Sequence, residues 1–155
     1  MRNEYNLNYL SEAFYEKYPH LEYPEIETKS DRPYIVMLIE IDENTFAIPF
    51  RTNLRHNSCY KFKKSTRQTE TVTGLDYSKV VIVNDNAYIG ESARVNDLEY
   101  NELDANFYII MTQFKKYLSN YYKFLDGKLN IYQAKRYQYT TLKYFHKELH
   151  IKSSQ

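Results

Sequence analysis

The chain has a single cysteine, Cys59, in 155 residues, so neither an internal disulfide nor a cysteine-based metal site is available. Its three glycines, at 74, 90 and 127, are too few and too scattered for a phosphate-cradling glycine loop. No glycine–serine–glycine nucleophile elbow occurs either. No apolar run approaches the roughly 20 residues of a membrane-spanning helix. The segment Met1-Arg2-Asn3-Glu4-Tyr5 lacks the apolar core of a secretory signal. A cytoplasmic protein without membrane contact is the expectation. Of the four histidines, His146 and His150 have the four-residue spacing of a helical metal pair. Only Glu148 lies nearby, and it points elsewhere on a helix, so a solvated tail is expected there rather than a metal site. Repeats and low-complexity tracts are also missing.

What is present is aromatic and unevenly charged. There are 18 Tyr and 8 Phe but no Trp. Tyr joins an apolar ring to a polar tip, which suits half-buried positions, wet interfaces and stacking on unpaired bases. A hydrophobic content of 43% with mixed charge implies one folded domain spanning the chain. The net charge of +1 conceals a gradient. Residues 1–50 hold 4 Lys and Arg against 10 Asp and Glu; residues 111–155 hold 9 against 2. Such asymmetry points to a polyanionic partner.

Periodicity gives a coarse architecture. Leu7, Leu10, Phe14 and Tyr18 recur at helical spacing before Pro19 and predict a short N-terminal helix. Tyr34–Ile41 reads as a strand covered on both faces, Asp42-Glu43-Asn44 as a turn, and Thr45–Phe50 as the returning strand. Lys79–Val83 predicts another buried strand, closed by Asn84-Asp85-Asn86. Phe107, Ile110, Met111, Phe114, Leu118, Tyr121 and Leu125 mark one face of a long helix stopped at Asp126-Gly127. Ile131, Ala134, Leu142, Phe145 and Leu149 form a weaker second stripe. Strands in the middle with helices at both ends define an α+β class, expected as a strongly bent antiparallel sheet or half-barrel with an N-terminal helix and long C-terminal helices.

The chemistry concentrates in Pro49-Phe50-Arg51-Thr52-Asn53-Leu54-Arg55-His56. Guanidinium forks, a hydroxyl, an amide and an imidazole all suit phosphate oxygens. Residues 51–67 carry Arg51, Arg55, Lys61, Lys63, Lys64 and Arg67 with no acid, interleaved with Tyr60 and Phe62. This composition fits a nucleic-acid surface and equally a solvated loop. A second polar element, Thr73-Gly74-Leu75-Asp76-Tyr77-Ser78-Lys79, offers Ser78 and Lys79 at a strand entrance. The bland account of it is a tight turn in which Gly74 takes positive φ. Paired with Arg51–His56 across neighbouring strand ends, it makes a pocket able to cleave RNA. The ribose 2′-hydroxyl attacks its own phosphate, and the protein aligns it, stabilises the phosphorane and moves two protons. Thr52, Asn53, Arg55, His56, Ser78 and Lys79 are the candidate catalytic residues, with Arg51 and Arg32 as supporting cations.

Three stretches carry a family likeness: Arg32-Pro33-Tyr34-Ile35-Val36, Phe46 to Asn53, and Gly74 to Val83. Their order and spacing resemble the ToxN/AbiQ endoribonuclease toxins of type III toxin–antitoxin systems, most nearly the CptN/TenpN branch, over roughly residues 30–125. The resemblance implies a MazF/PemK-like bent sheet and cofactor-free, metal-independent cleavage of cellular mRNA, leaving a 2′,3′-cyclic phosphate and a 5′-hydroxyl. It also implies a small structured RNA antitoxin, excised from tandem repeats by the toxin and held in a closed toxin–RNA assembly. Thr52 matches a family hydroxyl position. The family's lysine has no counterpart here, and Arg55, the nearest cation, is a poor general base. His56, Lys79 or an RNA group would then move the protons. The antitoxin is expected on Tyr60, Lys61, Lys63, Lys64 and Arg67 and on the C-terminal Lys115, Lys116, Lys123, Lys128, Lys135, Arg136 and Lys143. A silent RNA-binding module and a Tyr-rich protein-interaction domain are the competing readings.

Overall fold

A computed structural model describes residues 4–28, 34–63 and 72–152. Its elements are β1 (Asn6–Leu10), α1 (Glu12–Lys17), β2 (Ile35–Ile41), β3 (Asn44–Arg51), β4 (Cys59–Lys61), β5 (Gly74–Asp76), β6 (Val81–Ile82), β7 (Ile89–Ser92), α2 (Asp97–Ala105), α3 (Phe107–Leu125) and α4 (Ile131–Lys135). Among the described residues, four helices thus accompany a seven-stranded antiparallel sheet, an α+β arrangement. The strand order is β4-β5-β3-β2-β1-β7, with β6 also on β3. The sheet is open, β4 and β7 forming its two ends.

The expected hairpin is present. Asp42 and Glu43 turn it with φ of 49° and 73°, and Val36–Ile41 pairs with Pro49–Asn44. Both central residues of this two-residue turn are left-handed, the twist that suits a tight hairpin. Adjacent strand residues face opposite sides of a sheet. Phe46 therefore meets Phe114 of α3 at a centroid distance of 5.2 Å, while Ala47, Val36, Pro49 and Val81 line the other face with Leu10 and Ile26. That double coverage explains the unbroken apolar run of β2.

α3 follows its sequence pattern closely. Ile110, Phe114, Tyr117 and Tyr121 are buried, and Gly127 closes the end with φ of 69°. Leu125 lies outside the core at 40% exposure.

Four expectations are corrected. Leu7 and Leu10 belong to β1, not to a helix; Ser11 caps a helix of only six residues behind them. Pairing with both β2 and β7 outweighs the helical spacing. Lys79–Val83 is a strand only at Val81–Ile82, because Tyr77–Lys79 forms a 3-10 turn. The second C-terminal stripe is not a long helix: α4 is five residues, and a 3-10 turn at Thr141–Tyr144 follows. Nor is this region a solvated tail. Tyr137, Thr140, Thr141, Leu142 and Phe145 are buried, and His146 Nε2 lies 2.5 Å from the Tyr121 hydroxyl.

One detail of β3 sets up the site. The Val83 N–H donates to the Thr45 carbonyl, so the odd-numbered residues of β3 direct their backbone groups toward the β5–β6 edge. Pro49 is one of them and has no N–H to offer. Pairing lapses there: β6 meets β3 at Phe46 and Ala47, and β5 meets it at Phe50 and Arg51. The 3-10 turn fills the gap, carrying Ser78 and Lys79.

Candidate functional site

Arg51 ends β3 opposite Gly74, and Asp76 ends β5 two residues beyond that partner. Asp76 is fully buried and gathers four donors. Arg51 Nη1 lies 2.7 Å from Oδ2. The Ser78 hydroxyl and N–H donate to Oδ1 at 2.6 and 3.0 Å. His56 Nε2 is 3.3 Å from the same oxygen. Burial alone raises the pKa of this carboxyl, but the contacts from His56, Ser78 and Arg51 outweigh it and hold it below the ordinary range. Asp76 is therefore a fixed anion on which two distant segments converge.

The Ser58 N–H donates to His56 Nδ1 at 3.0 Å, which leaves the ring proton on Nε2, aimed at Asp76. Both ring nitrogens are thus engaged. Cys59 Sγ donates to the His56 carbonyl at 3.2 Å, and burial pushes its thiol pKa up to about 11, so it is no thiolate nucleophile.

Between Arg51 and His56 the loop is pinned by Leu54, which is buried and donates its N–H to the Val72 carbonyl. Thr52, Asn53 and Arg55 project around it, exposed. Asn53 has φ of 63°, a left-handed conformation that Asn tolerates. Lys79 donates to the Tyr139 carbonyl at 3.2 Å. Burial lowers its pKa below that of an ordinary lysine, against the pull of Glu27 and Asp76. The sequence's two polar elements do meet at one sheet end, in a layered form: Ser78 and His56 on the buried carboxylate, Lys79 to one side, and Thr52, Asn53 and Arg55 outermost.

Other predicted residues are less uniform. Arg32, Lys64 and Arg67 lie outside the described residues. Tyr60 offers no exposed stacking face: it is 8% exposed, and its hydroxyl donates to Glu102 at 2.7 Å. Phe62 is buried too, stacked on Phe50 at 5.9 Å. Glu102 also accepts the Lys63 N–H, at 2.9 and 3.0 Å, so this segment is anchored from beneath by α2. Lys61 and Lys63 remain exposed. Gly74 is needed for space, not positive φ: a Cβ there would lie 1.9 Å from the Tyr60 carbonyl oxygen across the β4–β5 pair. The C-terminal cations Lys115, Lys116, Lys123, Lys128, Lys135, Arg136 and Lys143 are all exposed, as are the rings of Tyr108, Tyr132 and Tyr139.

Sequence reasoning missed the centre itself. Asp76 carried a signal, since an Asp two residues before Ser78 is the pattern of a capped turn. Glu27, 3.1 Å from Arg51 Nη2, carried none, because nothing local ties residue 27 to residue 51.

No known protein family, curated protein or solved structure matches the chain.

Proposed function

We propose that the chain is a metal-independent endoribonuclease toxin of the ToxN/AbiQ kind, its sheet corresponding to the MazF/PemK-like bent half-barrel, cleaving cellular RNA and held by a small repetitive RNA antitoxin. One observation carries this reading most: Arg51–His56 and Ser78–Lys79, read separately as phosphate-directed segments, share one buried carboxylate at one end of the sheet. In such an enzyme Asp76 fixes the loop, and Thr52, Asn53 and Arg55 contact the scissile phosphate. Charge-assisted bonds from Arg55 stabilise the phosphorane. Lys79, its pKa lowered by burial, suits proton transfer better than Arg55 does. His56 acts by positioning, since both its nitrogens are engaged.

Induced expression tests the reading. Growth should arrest, and purified protein should cleave RNA in chelator to 2′,3′-cyclic phosphate and 5′-hydroxyl ends. Thr52→Ala and Lys79→Ala should abolish both while leaving the fold intact. Products with 5′-phosphate ends, or full toxicity in both variants, overturn it. The alternative, RNA binding without cleavage, is favoured by the engagement of His56; it predicts RNA retention with no new ends.

A further inference from the structure

The acidic segment before β2 lies against the same cations. Glu27 Oε1 is 3.1 Å from Arg51 Nη2, and Glu27 Oε2 receives a long contact of 3.5 Å from the Tyr34 hydroxyl. Glu25 Oε2 is 3.1 Å from Lys143 Nζ, and its other oxygen accepts from the Tyr144 hydroxyl. Both glutamates also act through space on Lys79. Two carboxylates, two residues apart, therefore pair with two cations and a hydroxyl from β3 and the C-terminal region, with Lys79 of the 3-10 turn within electrostatic reach. With Glu25, Glu27 and Asp76 in place, the formal charges of Arg51, Lys79 and Lys143 are balanced. Without the two glutamates the cluster carries +2.

We propose that Glu25 and Glu27 occupy the seats of two RNA phosphates, so that residues 22–28 form an acidic strap that competes with the RNA backbone for Arg51, Lys143 and Tyr144. A carboxylate and a phosphodiester offer the same donors an anionic pair of oxygens. Arg51 keeps its bond to Asp76 when Glu27 leaves, so the guanidinium stays aimed while one fork is freed. The strap lowers affinity for any polyanion and leaves the seat to ligands able to displace both carboxylates. This inference rests on the RNA-binding reading above.

The test uses the full chain and a mixed-sequence RNA 15-mer with every 2′-hydroxyl methylated, which cannot be cleaved by the 2′-hydroxyl route. Glu25→Gln and Glu27→Gln keep shape and remove charge. Glu40→Gln, on the exposed end of β2, removes equal charge elsewhere. By anisotropy across a salt series, each strap variant should bind about threefold to fivefold tighter than wild type, the upper end of the scale of one freed exposed ion pair. The log–log salt slope should steepen by about 0.7 per added phosphate contact. Glu40→Gln should change affinity less than about twofold, because screening weakens remote charges. Strap variants that behave like Glu40→Gln, or bind more weakly, overturn the proposal while leaving RNA binding standing. Thermal shift with inorganic pyrophosphate separates the other failure. If no variant binds RNA, yet pyrophosphate stabilises the double variant more than wild type, the phosphate seat stands and the RNA reading falls. If neither probe distinguishes them, both fall. Should Glu25→Gln not fold, Glu27→Gln alone decides, since it acts directly on Arg51.

Discussion

At the end of β3, Arg51 commits its guanidinium to Asp76 and Glu27, whereas Lys115, Lys116, Lys123, Lys135 and Arg136 of the C-terminal third make no ion pair with any described residue. Lys128 reaches Asp126 only at 4.0 Å, with both side chains exposed. The first region has little net charge and well-defined geometry. The second has much charge and little to fix it. Orientation requires a buried counter-charge, because an exposed lysine keeps its rotamer freedom and its hydration. Long-range attraction needs the reverse, an excess of one sign facing solvent. On the proposed reading, gathering RNA needs the second kind and aligning one phosphate needs the first.

The largest effect should come from removing the buried carboxylate. Asp76→Asn leaves Arg51 and His56 facing a neutral amide, and breaking such a buried pair costs about 3–5 kcal/mol. Denaturant unfolding should show that loss, together with loss of growth arrest. A change below about 1 kcal/mol, within the range of an ordinary exposed pair, would erase the contrast between the two regions.

Gly74→Ala should follow closely. Its methyl would meet backbone, not a yielding side chain, so overpacking of about 3 kcal/mol is expected, read as a lower melting temperature. Retained stability would mean that β4 and β5 pair more loosely than described.

The pH dependence sharpens the same comparison. Asp76 titrates below the ordinary carboxylate value of about 3.9. Its contribution to stability is thus fully present above that value and lost as pH falls through the lower, folded one. Acid unfolding should be less steep below about pH 4 in Asp76→Asn than in wild type. Lys79 is shifted in the same direction, but its contribution at neutral pH is unfavourable. Its folded pKa lies below its unfolded one, so burial of the charged amine opposes folding at neutral pH and is relieved as pH rises toward about 10.4. On the proposed reading, the alkaline limb of wild-type cleavage should sit below the ordinary lysine value.

The smallest effect on the folded chain should come from the exposed region. Charge reversal at Lys123, Lys128 and Lys135 should leave the melting temperature unchanged and weaken neutralisation by the proposed RNA antitoxin more than cleavage. The salt slope should fall by roughly 0.7–0.9 per lost phosphate contact. A salt-independent affinity would place the antitoxin elsewhere.

Much of the local structure was legible because its cause is local. The seven apolar positions between Phe107 and Leu125 predict α3 by period alone, and Asp126-Gly127 predicts its end. The apolar run before Asp42 predicts a hairpin because a turn and two short strands are neighbours in the chain. Where two neighbours in space compete with the chain's own period, the period fails. Leu7 and Leu10 sit at helical spacing, yet β2 and β7 claim them for the sheet. Tyr60 looked like a stacking platform until Glu102, 42 residues away, took its hydroxyl into the interior.

By itself, then, the sequence determined the α+β class, the long helix, the hairpin and the clustering of phosphate-suited side chains in Arg51–His56 and Ser78–Lys79. These follow from periodicity, turn residues and side-chain chemistry, which are properties of short stretches. Only the tertiary structure decided that Asp76 is the centre, that Glu25 and Glu27 lie on the cations, and that Tyr60 is core. Each of those depends on burial and on contacts with remote residues. Whether a carboxylate organises a site or merely faces water is decided by which donors the rest of the fold brings within about 3 Å of it.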